Sequence, residues 1–268
     1  MGQNLAYIHP DAKIGKDVTI EPFAYIAGDV EIGDGTWIGP NATILDGARI
    51  GKKCRVFPGA VISAIPQDLK FRGEITTAEI GDNTTMRECV TINRGTSSKG
   101  KTVIGSNCLL MAYVHIGHDC RLGNSIILGN GTQLAGEVEI DDMAIVSAHA
   151  LVHQFERIGS HVMVQGGSKV NKDIPPFIIA AREPITFAGI NIIGLRRRGF
   201  DANKVAEIQE IYRNLYGKGM NVSQAVAYIE ANMAQTEERD LILSFIKGSK
   251  RGIVREFTGA DPSEGIED

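Results

Sequence analysis

Large rings are scarce in this sequence: aromatics make up 6% of it and Trp occurs once, so a core of stacked aromatic side chains is excluded. No run of 18 apolar residues occurs, so no membrane span or stable membrane insertion is expected. The opening stretch "MGQNLAYIHPDAKIG" lacks the basic start and apolar run of a secretory signal. It also carries Ala6 where a myristoylation signal wants Ser or Thr. The four cysteines, Cys54, Cys89, Cys108 and Cys120, form no CxxC pair, and are expected as reduced thiols of a cytoplasmic protein. Long basic tracts are missing and the net charge is -4, which argues against nucleic acid as a partner.

What the chain has in quantity is glycine, 31 residues of it, together with branched aliphatics set at a fixed interval. Every sixth position from Ile8 to Ile62 is Ile or Val. The series lapses, resumes over Ile80, Met86 and Ile92, lapses again, and then runs unbroken from Ile104 to Val170. A second series two residues earlier is small or branched, as in Ala24, Val30, Ala42, Cys54, Cys108, Cys120 and Thr132.

A period of six fits neither one helix face nor one long strand. It fits a short strand followed by a sharp turn, with the two inward positions two residues apart because strand side chains alternate. Three such sides close a triangular coil of 18 residues, and coils stack about 4.8 Å apart by parallel hydrogen bonding. Gly, Asn or Asp at the turns permits backbone conformations that a side chain hinders. Three of the cysteines fall in the small inward slot and read as buried packing groups.

Two segments leave the clock, "SAIPQDLKFRGEITTAE" (63–79) and "NRGTSSKGK" (93–101). Loops inserted in a regular solenoid are common sites of function. After Val170 comes a Pro-rich exit, "NKDIPPFIIAAREPITF". Helical spacing follows over "DANKVAEIQEIYRNLYGKG", with Asp201 as N-cap, and two more helices are expected over "NVSQAVAYIEANMAQ" and "EERDLILSFIKGS". The tail "GADPSEGIED" reads as frayed. The expected organisation is a parallel β-helix over 1–187 and an all-α C-terminal domain over 188–268.

The clock also gives phase. His118 lies two residues after Ile116, at a turn; 18 residues on is Gly136 and 18 more is Gln154. His115 flanks the same edge and His153 precedes Gln154. Three readings stand side by side for this cluster. His118 can be a solvated turn residue. It can join His115 and His149 or His153 as a metal ligand, particularly across a subunit interface. Or it can be a general base, oriented by Asp119, beside the Gly136 amide as oxyanion donor.

The segments "IPQDLKFRGE", "INRGT", "AYVHIGHDC", "QLAGEVEIDD", "LVHQF", "HVMVQGGSKVNKDIPP" and "NIIGLRRRGF" resemble the UDP-N-acetylglucosamine O-acyltransferases of lipid A synthesis. The resemblance implies a left-handed β-helix, an exception to the usual right-handed crossover, with a helical C-terminal domain and a homotrimeric assembly. It implies transfer of a 3-hydroxyacyl group from acyl carrier protein, where the phosphopantetheine arm carries it, to the 3-hydroxyl of UDP-N-acetylglucosamine, with no cofactor and no metal. His118 matches the base and Gly136 the oxyanion donor. Gln67, Asp68, Lys70, His115, His153 and Gln154 match substrate-contacting positions. Asn191, Arg197 and Arg198 match the nucleotide end, where guanidinium forks suit a diphosphate.

Gly166 matches the position that sets acyl-chain length, and a glycine there implies a long chain. Two positions depart from the pattern: Glu137 replaces a histidine, and Ile193 replaces an acidic residue. Carrier docking is expected at local basic residues, Arg196, Arg197, Arg198, Lys247, Lys250 and Arg251, because acyl carrier proteins are acidic. The competing classes are a hexapeptide N-acyltransferase, a zinc enzyme of carbonic anhydrase type and a non-catalytic binding solenoid.

Overall fold

The computed structural model describes residues 5–257, so the tail stretch "GADPSEGIED" lies outside the described residues. Two- to five-residue strands recur among the described residues and sort into three sheets of nine, eight and ten strands, in which neighbours in space are parallel and every third strand in sequence except at the C-terminal end of the third sheet. Register follows the 18-residue coil: Tyr7 pairs with Tyr25, His115 with Gln133, and Glu139 with Arg157. The result is a left-handed parallel β-helix with three flat faces. The first face holds the strands Tyr7–Ile8 through Lys169–Val170, the second Lys13–Ile14 through Arg157–Ile158, and the third begins with Thr19–Ile20 and ends with Thr186–Ile190.

Both six-residue series point into the prism. Ile26, Ile44, Ile116 and Leu134 are fully buried, as are Ala24, Ala42, Cys54 and Val138. Burial of each large aliphatic contributes about 1.5–3 kcal/mol. Threonines in the small slot keep their hydroxyls satisfied by neighbouring coils: Thr36 Oγ1 donates to the Gly51 carbonyl at 2.9 Å and Thr84 Oγ1 to that of Gly105 at 2.9 Å. Burial pushes the Cys54 thiol up to about 11 and the Cys120 thiol up to about 12, which suits packing groups and not nucleophiles.

Two residues share the work of each turn. The glycine directly after the large inward residue answers to stacking: a Cβ on Gly105 would lie 2.4 Å from the Gly123 carbonyl oxygen of the next coil. The left-handed backbone comes two residues later and is mostly carried by side-chain-bearing residues, including Asn41, Asn83, Asn107, Asp119 and Glu137, with φ of 55–60°. Asn and Asp tolerate that region best. Cys89, outside the inward slot, occupies one of these turns with φ 56°.

The segment after Val170 is more than an exit. Strand Ile178–Ala181 adds in parallel to the third face, and Thr186–Ile190 folds back antiparallel on it, so that a hairpin ends the sheet. A parallel stack has an unpaired edge at its last coil, and this hairpin covers it on one face. The expected division at 187/188 falls inside its second strand. Four helices follow among the described residues: α1 (Ile192–Arg197), α2 (Ala202–Tyr216), α3 (Val222–Asn232) and α4 (Glu237–Lys247). Asp201 caps α2 through the Lys204 amide at 2.8 Å, and Asn221 with Gln224 forms a capping box on α3. The buried stripe of α2 is the one the spacing predicts, Val205, Ile208, Ile211, Tyr212 and Leu215. Tyr212 Oη donates to the Pro176 carbonyl at 2.6 Å, and the Arg157 guanidinium stands 4.3 Å over the Phe245 ring, which locks helices to prism.

Candidate active site

The edge between the first and second faces collects the unusual residues. Both inserted loops leave the prism there, the first between strands Val61–Ala64 and Thr77–Ile80, the second between Thr91–Asn93 and Lys101–Ile104. His118 sits on the same edge one coil beyond the second loop, with Gly136 on the next coil and Gln154 on the one after. The 18-residue arithmetic is met at atomic scale: a Cβ built on Gly136 would fall 2.5 Å from both Cε1 and Nε2 of His118. Only a bare backbone can lie beneath that imidazole, which is why glycine occupies 136. The Gly136 N–H has no acceptor among the described residues.

The other side of the ring is fixed. His118 Nδ1 lies 2.8 Å from Asp119 Oδ2, and Asp119 is fully buried while the His118 side chain keeps 14% of its surface exposed. The second loop supplies the remaining partners of this carboxylate. Thr96 N donates to Oδ1 at 2.9 Å, Thr96 Oγ1 to Oδ2 at 2.6 Å and Lys99 N to Oδ1 at 3.2 Å. Three loop donors on one carboxyl group suit an acceptor that gives no proton away. In the tautomer with the proton on Nδ1, His118 donates to Oδ2 and Nε2, over Gly136, keeps a free lone pair. Sequence reasoning singled out Asp119 as an orienting group but missed Thr96 and Lys99. The one available signal was that their loop leaves the repeat one coil before His118.

The other candidate residues spread over more than one edge. Gln67 and Lys70 are exposed on the first loop, and Asp68 Oδ1 accepts the Lys70 amide at 2.9 Å. That loop departs two coils from the His118 coil, about 10 Å along the axis. His115 is half-buried on the first face with Nδ1 2.7 Å from Thr91 Oγ1, and burial lowers its pKa. His153 is exposed, its Nδ1 3.0 Å from the Gln154 carbonyl. Gly166 lies on the edge between the third and first faces, where an added Cβ would sit 3.1 Å from the Ala148 carbonyl.

Asn191 is buried at the second-to-third edge, with both ends of its amide engaged: Oδ1 accepts from Gly194 N at 3.1 Å and Nδ2 donates to the His161 carbonyl at 2.9 Å. Arg197 is exposed, while Nη1 of Arg198 is buried and burial lowers that guanidinium's pKa. Of the departures, Ile193 is 68% exposed, and Glu137 turns its side chain towards the second loop, 3.1 Å from Ser98 Oγ. Of the histidines weighed as metal ligands, His149 stands over Gly131 at the third-to-first edge. Among the described residues no three His, Cys, Asp or Glu side chains gather as a metal-binding group.

A triangular coil built on this six-residue period places the chain in the hexapeptide-repeat class, and an imidazole over bare backbone on its edge suits acyl transfer. Models of the bacterial transferase hexapeptide match residues 11–36, 29–64 and 101–136, and the model of the second domain of UDP-N-acetylglucosamine O-acyltransferase matches 173–254. The chain is 41% identical over 201 residues to the acyl-[acyl-carrier-protein]--UDP-N-acetylglucosamine O-acyltransferase of Burkholderia orbicola, covering 73% of this chain and 77% of that protein. The structure of the UDP-N-acetylglucosamine acyltransferase from Bacteroides fragilis is 56% identical with TM-score 0.93, covering 95% of this chain and 100% of the other. That from Francisella novicida is 39% identical with TM-score 0.92, covering 99% of each. The chain belongs to the UDP-N-acetylglucosamine O-acyltransferase family, and it is an acyltransferase.

Proposed function

We propose that the protein transfers a long-chain (R)-3-hydroxyacyl group from acyl carrier protein to the 3-hydroxyl of UDP-N-acetylglucosamine, the first step of lipid A biosynthesis, in the cytoplasm. The acceptor and donor carrier are those in the names of its relatives. The observation that carries the mechanism is the His118 ring, tied through Nδ1 to buried Asp119 and standing over Gly136. Nε2 takes the proton of the sugar hydroxyl as its oxygen attacks the thioester carbonyl. The Gly136 N–H faces the developing oxyanion. The C–S bond then breaks and the imidazolium returns its proton to the leaving thiolate, so atoms and charge balance without a cofactor.

The assembly proposed with this reading is a homotrimer. His118, Gly166 and Asn191 lie on three different edges of one prism, and a threefold assembly would bring such edges of adjacent copies together. The outer surfaces differ accordingly. The second face carries a ladder of charge, Lys13, Glu31, Arg49 and Glu79, with Lys13 2.8 Å from Glu31 and Lys101 3.1 Å from Glu79. The third face presents Leu109, Ile127, Ile145 and Met163. Leu69 and Ile75 on the first loop are 95% and 98% exposed, a placement that suits a neighbouring subunit. Gln67, Asp68, Lys70, His115, His153 and Gln154 then contact substrate, Asn191, Arg197 and Arg198 the nucleotide, and Gly166 leaves room for a long acyl chain. No helix among the described residues is long and apolar enough to cross a membrane.

The test is transfer from carriers loaded with 3-hydroxyacyl chains of several lengths to UDP-N-acetylglucosamine and to its 3-amino analogue. Wild type is expected to prefer long chains and the hydroxyl acceptor. His118→Ala should lose at least about 10²-fold in kcat, the low end of general-base contributions. Full activity in His118→Ala would overturn the mechanism.

A further inference from the structure

The histidine that the resemblance places after the oxyanion glycine is Glu137 here, and its surroundings assign it a task away from the sugar. Its backbone N–H donates to the His118 carbonyl at 2.8 Å, and its φ of 60° turns the chain sharply at that point. Its carboxylate accepts from Ser98 Oγ at 3.1 Å and lies 4.0 Å from Lys99 Nζ, which also reaches Glu139 at 3.1 Å. Ser98 and Lys99 belong to the segment that grips Asp119: Ser98 N donates to Thr96 Oγ1 at 3.1 Å, and Lys99 N donates to Asp119 Oδ1. The Glu137 side chain is 18% exposed, whereas Ser98 and Lys99 are exposed, so the charge contact is screened by solvent and the Ser98 hydrogen bond carries the link.

The loop closes tightly at its base. A Cβ on Gly95 would lie 2.2 Å from Lys101 N, and Gly100 takes a left-handed φ of 74° with its N–H on the Thr96 carbonyl at 2.8 Å. A loop pinned at its base but free at its tip would let Thr96 and Lys99 swing off the carboxylate. Glu137 meets the tip. It joins the coil that carries Gly136 to the segment that orients His118, and so links base and oxyanion donor through one side chain.

We propose that Glu137 is a positioning residue: by holding Ser98 and Lys99 it keeps the second loop on Asp119 and thereby fixes the His118 ring over Gly136. The assignment rests on the acyl-transfer reading above. It makes Glu137, Thr96 and Asp119 one chain of contacts, so their effects must be coupled and not independent.

The experiment compares Glu137→Ala, Glu137→Gln, Thr96→Val, Thr96→Ser and the double variant Thr96→Val/Glu137→Ala in the full-length protein. Glu137→Ala is expected to lower kcat about tenfold at unchanged KM for UDP-N-acetylglucosamine, less than the ~10²-fold a 1 Å misplacement can cost. Glu137→Gln, which still accepts from Ser98, should recover most of the loss, as Thr96→Ser should for Thr96→Val. The double variant should be no slower than Thr96→Val alone. Independently of turnover, the low-field proton resonance of the His118 Nδ1–H should be present in wild type and broadened by exchange in Glu137→Ala. A raised KM at unchanged kcat, multiplicative losses in the double variant, or an unaltered Nδ1–H resonance would each overturn the assignment. Wild-type protein inactive on these substrates would overturn the function proposed above, while the resonance would still decide the positioning role.

Discussion

Asp119 shows how much a single position can carry. It sits at a left-handed turn, is fully buried, accepts from three donors of the second loop and lies 2.8 Å from Nδ1 of the imidazole. Asn at that position tolerates the same backbone but brings an amide that no longer demands a proton on Nδ1 of the ring. Asp119→Asn should therefore keep the fold, by circular dichroism, and KM, while kcat drops by about 10²–10⁴, as for other orienting carboxylates. The juxtaposition of His118 and Gly136 was legible because both keep step with the clock. The partners of Asp119 were not, since the path of a nine-residue excursion follows from its own hydrogen bonds and no period encodes it. His161 gives a second prediction of this kind. It lies between the rings of Phe177 and Phe200, with Nδ1 buried and unpartnered. Burial first, then the nearby Arg198 charge, push it from 6.5 down to about 4. Between those values the unfolded chain binds a proton that the folded chain does not. Its contribution is intact above pH 6.5 and is lost as pH falls towards 4. In urea titrations wild type should lose ground against His161→Phe across that window and hold a constant difference below it.

At the scale of the coil, stability comes from repetition, and the period alone exposes that. Short strands have too few residues to stand alone; each is held by identical neighbours above and below, and the inward isoleucines and leucines fill a continuous column. The same repetition makes local errors costly, because coils approach each other backbone to backbone. Gly105→Ala places a methyl 2.4 Å from the Gly123 carbonyl oxygen, an atom held in the ladder and unable to yield as a flexible side chain would. It should lower the unfolding midpoint by the equivalent of about 1–3 kcal/mol, the usual cost of overpacking. A like change at Asn107, in the left-handed turn of the same coil, acts through φ instead: Asn107→Gly should be neutral or slightly stabilising. A chemical-denaturation comparison of the two variants separates stacking from turn geometry. The sequence pattern did not distinguish these roles, since glycine is common at both places. The terminal hairpin also escaped it: Ile178–Ala181 and Thr186–Ile190 are short apolar runs around prolines, and only the open end of the third sheet gives them a partner.

On the scale of the molecule, the three faces of the prism have different chemistry. The second is a ladder of alternating charge that satisfies itself across strands, such as Glu139 against Arg157. The third is a column of aliphatics over Leu109, Ile127 and Ile145. The sequence held this information at the position just before each inward residue, where the six-residue phase puts side chains on the outside. His118 and the Arg197–Arg198 pair lie on elements at different edges of one prism, so the proposed site needs neighbouring copies of the proposed homotrimer to bring them together. A threefold assembly of 28.9 kDa chains that shares its sites makes a strict prediction for mixed subunits. Neither His118→Ala nor Arg197→Ala/Arg198→Ala should transfer acyl groups alone. Co-expressed, each mixed trimer contains one boundary at which an intact His118 of one copy faces intact arginines of the next. With random mixing about three trimers in four are mixed and one site in three is whole, so roughly a quarter of wild-type activity should return. Sites built within single chains would return none, because every chain carries a lesion.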